Sequence, residues 1–98
     1  MFVGSLEIDV LLGDIHSLKE KRGVVRPLVA ELRRQFDVAV AEVGHLDLHR
    51  RALVGVAVVA ADPAHCTDVL DSCERWVAAR PELDLLSAHR TLRGSDDD

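Results

Sequence analysis

Histidine and aspartate alternate in the segment His45-Leu-Asp-Leu-His49, with Glu42 a short step upstream. Alternate side chains of an extended chain share a side, so His45, Asp47 and His49 could converge on a divalent ion such as Zn²⁺. A His/Asp/His set leaves one coordination position open, where a bound water becomes a nucleophile for metal-dependent hydrolysis. The competing reading of the same residues is a polar hairpin loop with Leu46 and Leu48 tucked inward. We adopt the loop reading, which calls for neither a metal nor any other cofactor.

A second group is electrostatic. Residues 15–36 carry Lys19, Lys21, Arg22, Arg26, Arg33 and Arg34 against Glu20 and Glu31, a net of +4 inside a chain of net charge −5. Cations on one helix face can hold phosphates, with an affinity that falls steeply as salt rises. The bland counterpart is a solvated helix face with pairs three and four residues apart, for which Glu20 and Glu31 provide few partners. A third group, Glu7 and Asp9, shares one face of a strand and resembles an acid/base pair. No nucleophile or oxyanion donor accompanies it. The chain has no Gly-rich phosphate loop, no Ser-centred elbow and no Cys-x-x-Cys. The expectation is therefore a non-catalytic protein.

Ninety-eight residues make one domain, large enough to bury a core without disulfides or metal. Aromatic residues are few (Phe2, Phe36 and Trp76, with no Tyr). The core must be aliphatic, and no aromatic platform for stacking bases is available. Cys66 and Cys73 are seven residues apart, about 10 Å along a helix, too far for a disulfide. They read as reduced core thiols of a reducing compartment. No basic leader region or apolar run of spanning length is present, so a cytoplasmic protein with no membrane partner is expected.

The elements that must position these groups follow from periodicity. Residues 2–12 alternate apolar and mixed, a strand ended by Gly13-Asp14. Ser17-Leu-Lys-Glu20 is a capping box, in which Ser17 accepts from the N–H of Glu20 and Glu20 reaches back to that of Ser17. Leu18, Val25, Leu28, Val29, Leu32 and Phe36 then keep helical spacing. Gly23 and Pro27 oppose this helix, at about 1 and 3 kcal/mol relative to Ala, and predict a kink or loosened turn. Val38–Val43 is a second strand, Gly44 to about Arg50 a loop, and Ala52–Ala61 a central strand. Asp62-Pro63 caps a second helix with a buried stripe of Cys66, Val69, Leu70, Cys73, Trp76 and Val77, stopped at Arg80-Pro81. Leu83–Leu92 is an edge strand in which Asp84, Ser87 and Arg90 keep the edge polar.

The order βαββαβ predicts an α+β, ferredoxin-like fold: a four-stranded antiparallel sheet with two helices on one face. The domain is expected to span residues 1–93, with an acidic disordered tail over 94–98. The other sheet face, with Val3, Glu7, Asp9 and Leu11, is left uncovered and offers an interface for a homodimer or a small ligand. The parity of the third strand is ambiguous, since Leu53, Ala57 and Val59 on one side and Val54, Val56 and Val58 on the other are all apolar.

Ser17-Leu-Lys-Glu-Lys-Arg22, Phe36-Asp-Val-Ala-Val-Ala-Glu-Val43, Asp47-Leu48, Arg51-Ala52 and Gly55 resemble the YlxP-like family. That is a bacterial family of small proteins catalogued as a domain of unknown function. The resemblance covers residue 2 to about residue 92 and implies a ferredoxin-like domain. The family's genes often lie near those for translation initiation and ribosome maturation, which implies RNA or a ribosomal particle as partner. No catalytic residue carries over. The family usually has Trp-Gln where this chain has His49-Arg50, and good helix formers where it has Gly23 and Pro27. These expectations converge on an accessory protein that meets RNA through its first helix.

Overall fold

The computed structural model describes residues 1–96. Its elements are β1 (Phe2–Leu12), α1 (Leu18–Phe36), β2 (Ala39–Gly44), β3 (Arg51–Ala60), α2 (Pro63–Ala78) and β4 (Leu83–Gly94). The four strands form one sheet in the order β2-β3-β1-β4, every neighbouring pair antiparallel. This is the ferredoxin-like arrangement, with β2 and β4 at the edges.

Alternation along β1 decides which face meets the helices. Gly4, Leu6, Ile8, Val10 and Leu12 point inward and are buried, while Val3, Ser5, Glu7, Asp9 and Leu11 face the open side. The register settles the parity of β3: Ala52, Val54, Val56 and Val58 go to the core, and Leu53, Gly55, Ala57 and Val59 join the open face. Val25, Leu28 and Leu32 of α1 and Cys66, Leu70, Cys73 and Val77 of α2 complete the core. At Gly4 an added Cβ would lie 2.9 Å from Leu70 Cδ1 and 3.3 Å from Cys66 Cβ, so glycine there sets how closely α2 approaches β1. Burial pushes the Cys73 thiol up to about 11, which leaves a protonated, inert core thiol.

The helix ends follow the sequence with one change. Ser17 Oγ accepts from Glu20 N at 3.1 Å, but the Glu20 carboxylate accepts from the N–H of His16, not of Ser17. Asp62 accepts from His65 N at 2.8 Å, with Pro63 in the first turn. Helix α1 runs unbroken through Gly23 and Pro27. The two residues lie one turn apart on its exposed side, so the C=O left without the proline's N–H faces water.

At β4 two expectations change. The strand continues to Gly94, and Ser95 N donates to Met1 O at 2.8 Å, so the chain remains tied to β1 where a disordered tail is expected; Asp97 and Asp98 of that tail lie outside the described residues. Arg90 is not part of an exposed edge. A β-bulge at Leu86, between the Val10–Leu85 and Asp9–Ser87 pairs, re-aims the strand that follows it. The Arg90 guanidinium turns under α2, bonding Asp71 at 2.7 Å and Glu74 at 3.1 Å.

Candidate functional site

Helix α1 sorts its cations by angle. Lys21 stands on the same stripe as Val25, Leu28 and Leu32 and is buried, its side chain 3% exposed. Its ammonium lies 2.7 Å from Glu42 Oε2 and donates to the carbonyl of His45 at 2.7 Å. The Glu42 oxygen has no well-aligned donor, and the ion pair is what holds it. Lys21 therefore does not belong to the basic face: it pins the β2–β3 hairpin to α1. At inward positions of two packed elements, each of these charges offsets part of the other's cost of leaving water.

Lys19, Arg22, Arg26 and Arg33 follow one another at spacings of three, four and seven, one exposed stripe with Arg34 beside it. The stripe is roughly 21 Å long at 1.5 Å per residue. Arg33 is partly committed, since its Nη2 donates to the carbonyl of Val40 on the outer edge of β2. Lys19, Arg22, Arg26 and Arg34 form no ion pair or hydrogen bond among the described residues. The acids of the same helix are engaged elsewhere: Glu20 at its N-terminus and Glu31 with Arg80 at 3.6 Å. Nothing on the helix neutralises the stripe.

A second polar cluster lies where β1, β3 and the hairpin meet. Arg51 Nε donates to Asp9 Oδ1 at 3.0 Å while its Nη2 donates to Oδ2, a two-pronged bond, and His45 Nε2 stands 3.3 Å from Oδ2. The Arg51 hydrogen bonds hold the Asp9 carboxyl below its usual range against the opposing pull of burial, and His45 adds to the lowering. An Asp fixed in this way is an anchor rather than a base. His45 takes a left-handed backbone (φ 57°), and Leu48 N closes a turn on its carbonyl at 3.0 Å.

That turn undoes the metal reading. His45 points to Asp9, while Asp47 and His49 face solvent, and no three His, Cys, Asp or Glu side chains among the described residues are placed to hold an ion. The loop reading is corrected too, for Leu46 and Leu48 are exposed, not tucked inward. His65 sits exposed in the first turn of α2.

On the open sheet face, Val3 and Glu7 are exposed, Leu11 is partly covered by its neighbours, and Asp9 is taken up by Arg51. The sequence reading missed the neighbouring half of this face. Ala39, Ala41, Gly55 and Ala57 form the floor of a trough of about 330 Å³, walled by Val43 and Glu7. Small residues at alternate positions of two adjacent strands were the available signal.

The fold and these surfaces define a small ferredoxin-like protein with one un-neutralised cationic helix face and one open sheet face. The chain belongs to the family described as "Protein of unknown function (DUF503)", whose sequence pattern matches residues 3–90. It is 27% identical over 82 residues to "Uncharacterized protein YlxP" of Bacillus subtilis (strain 168), covering 84% of this chain and 89% of that protein. Among solved structures it is similar to a de novo designed protein with a ferredoxin fold, at a TM-score of 0.57 and 13% identity, covering 99% of this chain and 89% of that one. It also aligns with a mutant of SnoaB, a cofactor-independent oxygenase from Streptomyces nogalater, at a TM-score of 0.47 and 12% identity, covering 99% of this chain and 95% of that one. No helix among the described residues is long and apolar enough to cross a membrane.

Proposed function

We propose that the protein is a non-catalytic accessory factor that docks on folded RNA or a ribosomal particle through the exposed stripe Lys19, Arg22, Arg26, Arg33 and Arg34. The observation that carries this reading is the absence of partners. Four of these five side chains have no ion pair or hydrogen bond among the described residues, and the helix's own glutamates are engaged elsewhere. A cation kept free of the fold's own acids can exchange its counterions for phosphates.

The net charge of −5 opposes a polyanion at long range. At physiological salt the Debye length is about 8 Å, so acids on the far side of the domain are screened while the stripe acts at contact. The aromatic residues give no stacking surface on this face, because Phe36 packs edge-on against Trp76 with ring centres 6.3 Å apart. Recognition is therefore of backbone and shape rather than of unstacked bases.

Co-sedimentation with ribosomal subunits and with bulk RNA, at low and at moderate salt, tests this. Salt-sensitive migration that is lost on combining Arg22→Glu with Arg26→Glu is expected. No migration at low salt, or migration untouched by the double reversal, rules the stripe out as the contact.

A further inference from the structure

The cationic stripe of α1 has a gap. Arg26 and Arg33 are seven residues apart, and the place between them on the same flank is held by the half-buried Val29. At this gap a groove of about 390 Å³ opens between α1 and the edge strand β2. Arg26 and Arg33 line it from α1 with Val25 and Val29, and Ala41 and Glu42 line it from β2. Its volume falls within the roughly 300–1,000 Å³ of ligand pockets.

The groove holds two donors and one free acceptor. Glu42 stands on the inward side of β2, as Val40 does, and so points under the flank of α1. Its side chain is 23% exposed, yet Oε2 is closed off from water and held by Lys21. Oε1 has no hydrogen-bond partner among the described residues and is not buried, so it is the oxygen left to the groove. Lys21 offsets the carboxylate charge, and Glu42 therefore does not cancel the two arginines. The outward carbonyl of Val40 is already occupied by Arg33. An added peptide strand would need that carbonyl for its own N–H, which disfavours strand addition at this edge.

We propose, on the phosphate-binding reading of the stripe, that this groove seats a ribose of the bound RNA and selects RNA over DNA. Arg26 and Arg33 bind the phosphates on either side of the sugar, and Glu42 Oε1 accepts a hydrogen bond from its 2′-hydroxyl. The two arginines start about 10 Å apart along the helix axis and flank Val29. A sugar resting on the valine floor thus has a guanidinium toward each of its phosphates. A carboxylate is the group that dinucleotide-binding folds use for the same hydroxyl. In A-form RNA the 2′-hydroxyls border the shallow minor groove beside the phosphates, so a helix laid along the backbone reaches both. Deoxyribose offers Oε1 no donor and leaves a carboxylate unpaired beside the phosphates.

Fluorescence anisotropy at a series of salt concentrations, with a structured RNA and with the same sequence carrying 2′-fluoro riboses, is the test. The fluoro sugar keeps the helical form and the phosphates and removes the donor. The wild type is expected to bind the unmodified RNA about tenfold more tightly, the worth of one hydrogen bond to a charged group. The slope against salt should be the same for both, because the phosphate contacts are unchanged. Val29→Phe fills the groove and keeps every cation, and it should remove the preference by weakening the unmodified RNA. Lys21→Met combined with Glu42→Leu removes the acceptor without leaving a buried charge unpaired, and it should do the same. Far-ultraviolet circular dichroism identifies any variant that fails to fold. Salt-sensitive binding of equal strength to the two RNAs overturns the proposal and leaves the stripe reading standing. A preference that persists in both folded variants places the sugar contact elsewhere and also overturns it. Binding of neither RNA at low salt ends the stripe reading and this proposal together.

Discussion

The two helices of this domain treat charge in opposite ways. On α1, six basic residues stand against Glu20 and Glu31, and apart from Lys21 and Arg33 the cations have no partner among the described residues. Around α2 the arginines are engaged. Arg90 reaches from β4 to Asp71 and Glu74, and Arg80 lies 4.6 Å over the Trp76 ring while bonding Glu82 at 2.8 Å and approaching Glu31 at 3.6 Å. The α2 side uses its charges to fasten β4 and the α2–β4 turn. The α1 side buries one cation to fasten the β2–β3 hairpin and leaves the others exposed. Charge that contributes nothing to the fold is available to a partner, and that contrast is the basis of the functional reading.

The largest loss of stability is expected at Lys21, the one buried cation of α1. Lys21→Ala leaves Glu42 partly buried without its cation and should cost about 3–5 kcal/mol, read from the urea midpoint at constant m-value. Lys21→Met, which keeps the apolar stem, should cost less than Lys21→Ala. A loss no larger than about 0.5 kcal/mol, the usual effect of a surface substitution, would return Lys21 to the exposed face. Removing the α2 clamp by Arg90→Ala should cost about 1 kcal/mol, since its partners remain near water.

Acid sharpens the same distinction. Because Arg51, against the pull of burial, holds the folded Asp9 carboxyl below its ordinary value, the charged form is favoured by folding. That contribution is complete above the unfolded value of about 4 and is lost as the pH falls through the lower folded value. Asp9→Asn should therefore flatten the loss of stability on acidification below about pH 4, as followed by thermal unfolding. An unchanged acid slope would mean that the Arg51–Asp9 bond does not form in solution.

Much of the fold was legible in the sequence because apolar period is a strong signal. The alternation over Phe2–Leu12, the Ser17 cap and the Asp62-Pro63 start fall where the elements begin. What escaped depended on contacts between elements. Lys21 lies four residues before Val25 on the buried stripe, and Glu42 lies two after Val40 on the inward side of β2. Two opposite charges at core positions on neighbouring elements signal a buried pair, whereas counting charges along one segment placed Lys21 with its exposed neighbours. The same holds for Arg90, whose inward turn follows a bulge that strand alternation does not announce. In the hairpin, His45 adopts a positive φ, and period-two reasoning about His45, Asp47 and His49 fails at such a residue.

If the unpaired cations of α1 are a phosphate-binding face, as proposed, the affinity for RNA must fall with salt in proportion to the contacts they make. Fluorescence anisotropy with structured ribosomal RNA, repeated over a series of salt concentrations, gives the slope of log K against log salt for the wild type, the Arg22→Glu/Arg26→Glu variant and a control, Arg75→Glu, at an exposed position of α2 whose side chain donates to Ser72 of its own helix at 3.4 Å. A negative slope is expected that becomes shallower by roughly 1.5 in the double variant, at about 0.7–0.9 per lost phosphate contact, with the control unchanged. A wild-type affinity indifferent to salt, or equal weakening by Arg75→Glu, would contradict it.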